Sequence, residues 1–460
     1  MSLFTLKHPG WERTILWLSI FVLLVLLSGS VFRYFDVDEF ETIHASWKIA
    51  QHETIYIDFF EHHHPFFYYL LSPLFIILQN SILTLYIARI FMFLLLMGTV
   101  FIVYKIAQLI FDKKVAALSV LLILTAEMFM DKAIEIRPDN MQTLLALLSI
   151  YFLFKFFSNK SQIKYLILSS LALGISFLFL QKSLIVFGLI IIILSYELIR
   201  KNIKFKLLFF YITIFISPFL LYLLYLWSTH SLTIYYRLNW IINMSYLHNA
   251  TPFTDILFAT IINSVLVLSY FIALFLPLNS LQKKLAFLSF GLLIYVFFVV
   301  SPGKQYFLPA LCLMSILAGF SMHRLKNINK LVFNIAIIAI VVLPVSVFIN
   351  KIYRMPNTKN QIPGIIYINN LVKTDDYIYD GDCKFNLFNK DINYFWFSLQ
   401  PSLALETYKK LYGYEYDIYK AIDTYKPKLI SDHLLDTDNP SIKGQYYSSG
   451  IYRNIYIKYE

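Results

Sequence analysis

Eleven apolar runs, near residues 14–32, 82–104, 115–130, 140–157, 163–180, 183–199, 207–227, 255–278, 285–300, 305–320 and 331–349, recur along this 460-residue chain, and a shorter one covers 65–79. A run of about 20 apolar residues matches the ~30 Å hydrocarbon thickness of a bilayer, where only a helix satisfies its own backbone polar groups. With 58% hydrophobic and 15% charged residues, the composition excludes an ordinary soluble globular protein. The expected fold is a polytopic α-helical membrane protein with about 11–13 transmembrane helices.

Cationic residues gather on the cytoplasmic side of membrane proteins, so Lys7 and Arg13 place the N-terminus inside. Lys113 and Lys114, Lys160 and Lys164, Arg200 to Lys204, Lys283 and Lys284, and Arg324 and Lys326 then alternate correctly if 65–79 is re-entrant or interfacial. That parity gives eleven crossings and turns four polar stretches outward, 33–64, 131–139, 228–254 and 301–305, together with the tail from about 351. The expected domains are a transmembrane part, 1–350, with its first outward loop at 33–64, and an extracytoplasmic α/β domain, 351–460. A bacterial inner membrane suits this layout.

The tail carries 14 Lys/Arg and 13 Asp/Glu, so nearly all of the formal charge of +11 lies on the membrane part. The positive-inside rule and anionic lipid account for that excess, and nucleic acid is not needed as a partner. Cys312 and Cys383 offer neither a disulfide framework nor a CxxC metal site. The Leu-Ser-Gly-Ser ending of the first run fits an uncleaved anchor.

The first outward loop collects Asp36, Asp38, Glu39, Glu41, Asp58 and Glu61, followed by His62, His63, His64 and Pro65. Phe40, Ile43, Trp47 and Ala50 recur at helical spacing, which predicts a helix over 39–52 lying along the membrane surface. One reading of the loop is a solvated acidic connector. The other is a carboxylate held at the boundary as general base for an acceptor hydroxyl.

Other outward edges favour the second reading. DKAIEIRPD at 131–139 ends in Arg137 and Asp139, Gln181 and Lys182 form a polar turn, and SPGKQYFLP supplies Lys304 and Tyr306. Snorkelling explains any one of these cations. Three together, on the face of an acidic loop, fit a phosphate-bearing lipid headgroup. An acid beside a phosphate pocket describes transfer from a lipid-linked phosphate donor, with the cations stabilising the departing phosphate.

DVDEF at 36–40, YIDFFEHHHPFFYYL at 56–70, EIRPDNMQTLLALL at 135–148, LALGISFLFLQKSL at 171–184 and GKQYFLPAL at 303–311 follow one another in this order. In that set the chain resembles the GT-C superfamily of membrane glycosyltransferases, in the branch of protein O-mannosyltransferases and lipid A aminoarabinose transferases. DDYIYDG at 375–381, PKLISD at 427–432 and YRNIYIKYE at 452–460 resemble the small α/β domain that ends many bacterial members. The resemblance implies Asp38 as catalytic base with Glu39 beside it, Glu61 as the acid closing the loop, and Arg137, Lys182, Lys304 and Tyr306 at the donor phosphate. Asp139, His62 and His64 would support them.

The chain departs from the family pattern at Glu61-His62-His63-His64-Pro65, where relatives commonly carry an acid, a lysine and prolines. The sequence requires no cofactor, but Glu61, His62 and His64 on an extended segment form a candidate divalent-metal site. The aromatic residues Tyr235, Tyr236, Trp240 and Tyr246 suit a lipid chain, a sugar face or a membrane belt.

The implied activity is an inverting glycosyl transfer from a polyprenyl-phosphate sugar to a hydroxyl or phosphate of a lipid, glycan or protein. Two readings compete with it. A transporter or flippase of lipid-linked saccharide would place charges near helix centres and repeat its halves. A receptor-like anchor for the tail would leave the outward cations unexplained.

Overall fold

A computed structural model of the protein describes residues 10–159, 162–245, 253–298, 303–354, 358–373, 375–381, 385–397, 404–431, 435–450 and 455–459. Lys7, Lys160, Tyr246, residues 301–302, Cys383, Asp432 and the 452–454 part of the last expected strand lie outside the described residues. The protein is an integral membrane protein, mostly helical, with a small C-terminal sheet.

Among the described residues, seven helices are long and apolar enough to cross a bilayer: Trp11–Phe32, Leu83–Ile110, Pro138–Ser158, Phe205–Ser228, Ser280–Phe298, Lys304–Ile328 and Lys330–Tyr353. The remaining expected crossings are shorter or broken. Ile163–Phe179 and Ser183–Ile199 have 17 residues each, Lys113–Leu124 has 12, and Phe253–Ile262 meets Ser264–Phe275 at an 81° bend. At ~1.5 Å per residue a 17-residue helix reaches ~25 Å, short of the hydrocarbon thickness unless flanking residues help. The 65–79 run folds into two six-residue helices, Phe66–Leu71 and Pro73–Leu78.

The chain forms two compact units. The first contains 1–33, 89–221 and 250–355. Its centre is Leu308–Ile328, buried continuously from Leu308 to Met322 and packed against Lys113–Leu124, Ser264–Phe275 and Ser280–Phe298. Gly174 lets Ile163–Phe179 approach Phe205–Ser228 closely: a Cβ there would lie 2.5 Å from the Phe215 carbonyl oxygen. Arg89, fully buried, donates to the backbone oxygens of Ser30 and Arg33, which the end of the Trp11–Phe32 helix leaves without intrahelical partners.

The second unit contains 34–88, 222–249 and 356–460. Val37–Ala50 forms the helix expected at 39–52, and Phe40, Ile43 and Trp47 are buried as its apolar spacing requires. Glu39, Thr42, His44, Ser46 and Lys48 are buried as well, so this helix is enclosed on nearly every side instead of presenting a solvated polar face.

In the tail, β1 (Tyr377–Asp380), β2 (Lys390–Asp391), β3 (Leu429–Ser431), β4 (Tyr446–Ser448) and β5 (Ile455–Lys458) make one sheet of order β2-β1-β3-β5-β4. β1 runs parallel to β2 and β3, while β5 is antiparallel to β3 and β4. Alternation sorts the strand residues: Ile378, Leu429 and Ile455 pack with Ile368 of the Thr358–Leu371 helix, whereas Tyr379 and Ile430 pack with Ile422 of the Ile418–Tyr425 helix.

The tail is joined to the first loop inside this unit. Trp396 Nε1 donates to the Phe60 carbonyl at 3.0 Å, the Phe60 N–H donates to Tyr394 O at 2.9 Å, and the Tyr394 hydroxyl donates to Tyr56 O at 2.7 Å. Gln361 exchanges two hydrogen bonds with the Phe35 backbone, at 2.8 and 2.9 Å.

Candidate functional site

Helix capping sets the first carboxylates. The Asp36 side chain accepts from the Asp38 N–H at 3.2 Å, and Glu39 Oε2 accepts from the Asp36 N–H at 2.8 Å. This capping box fixes the start of Val37–Ala50 and occupies the carboxylates of Asp36 and Glu39. Asp38 lies between them, half-buried, on the first turn. The helix N-terminus favours negative charge there.

Glu61 has no exposed surface, and Asp38 and Glu41 share with it the surroundings of the Tyr68 hydroxyl, which hydrogen-bonds Glu61. Glu61 Oε1 accepts from the His62 N–H at 2.8 Å and the His63 N–H at 3.1 Å, and meets His63 Nδ1 at 3.1 Å. Burial raises the Glu61 carboxyl above its usual range despite the opposing effect of His62 and these hydrogen bonds. Carboxylate oxygens of Glu41 and Glu61 and ring nitrogens of His62 and His63 lie within 4.8 Å of one another. Two carboxylates and two imidazoles suit a divalent cation.

His64 turns away from this cluster. Its Nε2 shares a 2.9 Å hydrogen bond with the Tyr235 hydroxyl, which also accepts from Trp240 Nε1 at 3.4 Å. The structure thus gathers Glu61 and His62 as the sequence reading expects, and puts His63 and Glu41 where that reading has His64. The Tyr56 hydroxyl donates to His63 O and Asn243 Nδ2 donates to His62 O, both at 2.7 Å, so the loop backbone is held while the rings converge.

The Val37–Ala50 helix is anchored from the tail. Asp391 Oδ2 lies 2.8 Å from both His44 Nε2 and Lys48 Nζ, and Asn386 Nδ2 donates to Asp391 Oδ1 at 2.7 Å. Burial alone would raise the Asp391 carboxyl, but Lys48 and His44 outweigh it and hold the group at about 2.

The outward cations of the sequence meet within the first unit. Lys182 Nζ lies 2.6 Å from Asp139 Oδ1 and 3.5 Å from the centre of the Tyr306 ring, and Arg137 Nε is 3.7 Å from Asp139 Oδ2. Arg137 also reaches Glu135 at 3.5 Å, where Arg33 and Lys132 converge at 2.5 and 2.8 Å. Arg33 continues to Asp131 at 3.2 Å, Asp131 to Lys351 at 3.5 Å, and Lys351 to Glu127 at 2.6 Å. Lys304 sits 4.0 Å from Glu127 and 3.7 Å from Asp255. Arg137, Lys182, Lys304 and Tyr306 therefore belong to one charged seam.

Burial would raise both Glu135 and Asp131. Lys132, Arg33 and Arg137 pull Glu135 well below its usual range, and Arg33 and Lys351 pull Asp131 down as well. These carboxylates stay ionised beside the cations.

Sequence reading missed Arg33, Lys132, Glu135 and Lys351 as members of the seam and Asp391 as the anchor. EIRPD carries a visible signal, an acid two residues before an arginine at a helix start. Asp391 carries none, because its partners lie 343 and 347 residues away.

Residues 62–222 match the family model described as dolichyl-phosphate-mannose-protein mannosyltransferase. No curated protein matches the chain. Among solved structures, the chain is similar to ArnT from Cupriavidus metallidurans bound to undecaprenyl phosphate, with TM-score 0.64 and 12% identity over 88% of this chain and 89% of that one. The apo state of the same protein gives 0.66 and 11% over 92% of each. The apo oligosaccharyltransferase from Archaeoglobus fulgidus gives 0.56 and 11% over 94% of this chain and 70% of that one. The fold is that of the GT-C membrane glycosyltransferases, in its ArnT-like form, as the sequence resemblance implies.

Proposed function

With the GT-C fold as premise, we propose that the protein transfers a sugar from a polyprenyl-phosphate donor to a hydroxyl or phosphate of a lipid, glycan or protein acceptor, at the outer face of a bacterial inner membrane. Asp38 takes the proton from the acceptor oxygen as that oxygen bonds to the anomeric carbon. The bond from that carbon to the phosphate oxygen breaks, its electron pair leaves with the polyprenyl phosphate, and the configuration inverts. Arg137, Lys182, Lys304 and Tyr306 hold the phosphate as its charge grows. Glu39 keeps the base in place by capping its helix.

The observation that carries this reading is the seam, in which Lys182 and Arg137 straddle Asp139 and Lys182 lies over Tyr306. The neighbour's bound undecaprenyl phosphate supports the donor class.

The Glu41, Glu61, His62 and His63 donors would hold a divalent metal, which would supply a fixed positive charge beside the acceptor. The cluster also orients the loop without it, through the Glu61 hydrogen bonds to two consecutive backbone N–H groups.

The test uses purified wild type and Asp38→Asn with a panel of radiolabelled polyprenyl-phosphate sugars and acceptor membranes. Turnover by wild type alone, with equal donor binding by both, supports the proposal and names the sugar. Donor binding without turnover by either, accompanied by movement of donor across vesicles, would replace it with the transporter reading.

A further inference from the structure

The first unit holds a cavity of about 620 Å³ far from the seam. Its walls come from the end of Pro138–Ser158, the last turns of Ser183–Ile199 and the first turns of Ser280–Phe298. Lys182 precedes Ser183–Ile199 and Arg200 follows it, so the two sites lie at opposite ends of a helix ~25 Å long. The cavity end gathers the cations assigned to the cytoplasmic side, whereas the seam lies at the outward end.

Apolar and basic surfaces divide the cavity. Ile192, Ile193, Phe157 and Phe287 form its greasy wall, and Arg200, Lys283 and Lys284 its polar end. Ile192, Tyr196 and Ile199 are exposed on one stripe of their helix, so the mouth opens on a surface that lipid chains cover.

The polar end is built rather than incidental. Lys201 adopts φ 58°, and the Asn202 N–H bonds back to Glu197 O at 2.8 Å while Lys201 N–H bonds to Leu198 O at 2.8 Å, which reverses the chain after the helix. The reversal brings Asn202 Nδ2 to Glu197 Oε2 at 2.9 Å, and Lys284 Nζ meets Glu197 Oε1 at 2.8 Å and the Ser280 hydroxyl at 2.9 Å. Glu197, nearly fully buried, thereby fixes Lys284 at the cavity and offsets one of three positive charges. The Arg200 guanidinium stacks 5.4 Å over the Tyr196 ring, and Lys283 is exposed beside it. Two net positive charges remain above an apolar wall, which matches a headgroup phosphate above acyl chains.

We propose that this cavity binds one anionic phospholipid from the leaflet on that side, with the phosphate between Arg200 and Lys283 and the upper acyl chain against Ile192 and Phe287. The site is separate from the proposed donor site and does not depend on transferase activity.

Native mass spectrometry tests it on the full chain equilibrated in mixed micelles with equimolar phosphatidylglycerol and phosphatidylcholine. The expected result is one retained phosphatidylglycerol per chain, in clear preference to phosphatidylcholine. The double variant Arg200→Glu/Lys283→Glu retains roughly tenfold less. Ile192→Trp, which keeps the charges but fills the mouth, also loses the lipid. Thermal unfolding in phosphatidylcholine alone, unchanged among the three proteins, separates loss of the site from loss of the fold. Equal retention of both lipids, undiminished retention by both variants, or displacement of phosphatidylglycerol by equimolar polyprenyl phosphate would each overturn the proposal.

Discussion

The Lys48 ammonium lies 2.8 Å from the Asp391 carboxylate, tying the helix that begins beside Asp38 to the second strand of the tail sheet. Both groups are buried, so each depends on the other for its charge. Breaking such a pair from one side costs about 3–5 kcal/mol, because the surviving charge stays buried without compensation. Asp391→Ala should lower the melting temperature sharply. A drop no larger than that of an exposed substitution such as Lys443→Ala would remove the anchoring role.

The same pair sets a pH dependence. The folded Asp391 carboxyl lies at about 2, below its ordinary value of 3.8, so its contribution is complete above the unfolded pKa and lost as pH falls through the folded one. The depression is worth about 2 kcal/mol. Melting curves from pH 6 down to pH 2 should therefore converge for wild type and Asp391→Asn at the acid end, with the wild-type advantage shrinking below about pH 4.

Asp38 and Glu39 should separate by experiment. Glu39 accepts the Asp36 N–H, so Glu39→Gln keeps an acceptor and most activity, while Glu39→Ala costs about 1 kcal/mol of stability through the lost cap. Asp38→Asn should leave the melting temperature in place and reduce turnover by about 10²–10⁴-fold. Comparable turnover losses in Asp38→Asn and Glu39→Gln would show that neither carboxylate has the base role to itself.

Lys182 has a dual position, on Asp139 and over Tyr306. Lys182→Met should raise the half-saturating donor concentration about tenfold or more and also destabilise the fold by stranding Asp139. Adding Asp139→Asn should recover stability but not donor affinity. If the double variant regained both, Lys182 would serve the helix ends and not the phosphate.

Divalent zinc should raise the melting temperature of the wild type, and a chelator should reverse the rise. Glu61→Gln and His63→Ala should abolish the response. His64→Ala should preserve it, since that ring belongs to Tyr235.

Much of this was legible in the chain because membranes impose long, crude patterns. Each of the eleven apolar runs became a helix or a broken pair, and Arg137, Lys182 and Tyr306 lie together, the two cations at Asp139 and the ring under Lys182. The seam's other half was hidden. Arg33 and Lys351 act through partners set by helix packing, which residue spacing does not encode. The three histidines look equivalent in sequence, but Tyr235 claims only the third, and that choice is made by a segment 171 residues later. The helical spacing of Phe40, Ile43, Trp47 and Ala50 in Val37–Ala50 implied a surface helix with a wetted face. Burial of Glu39, His44 and Lys48 arises because Asp391 and the capping box satisfy them inside protein.

The hydrogen bonds from Trp396 and to Tyr394 clasp Phe60 across 336 residues of chain. During synthesis the first loop therefore emerges long before its partners exist. It must wait, unsettled, until all the intervening chain has been made. Closure of the clasp is in this way deferred to the end of translation, and a chain stalled part-way is expected to leave the loop unclasped.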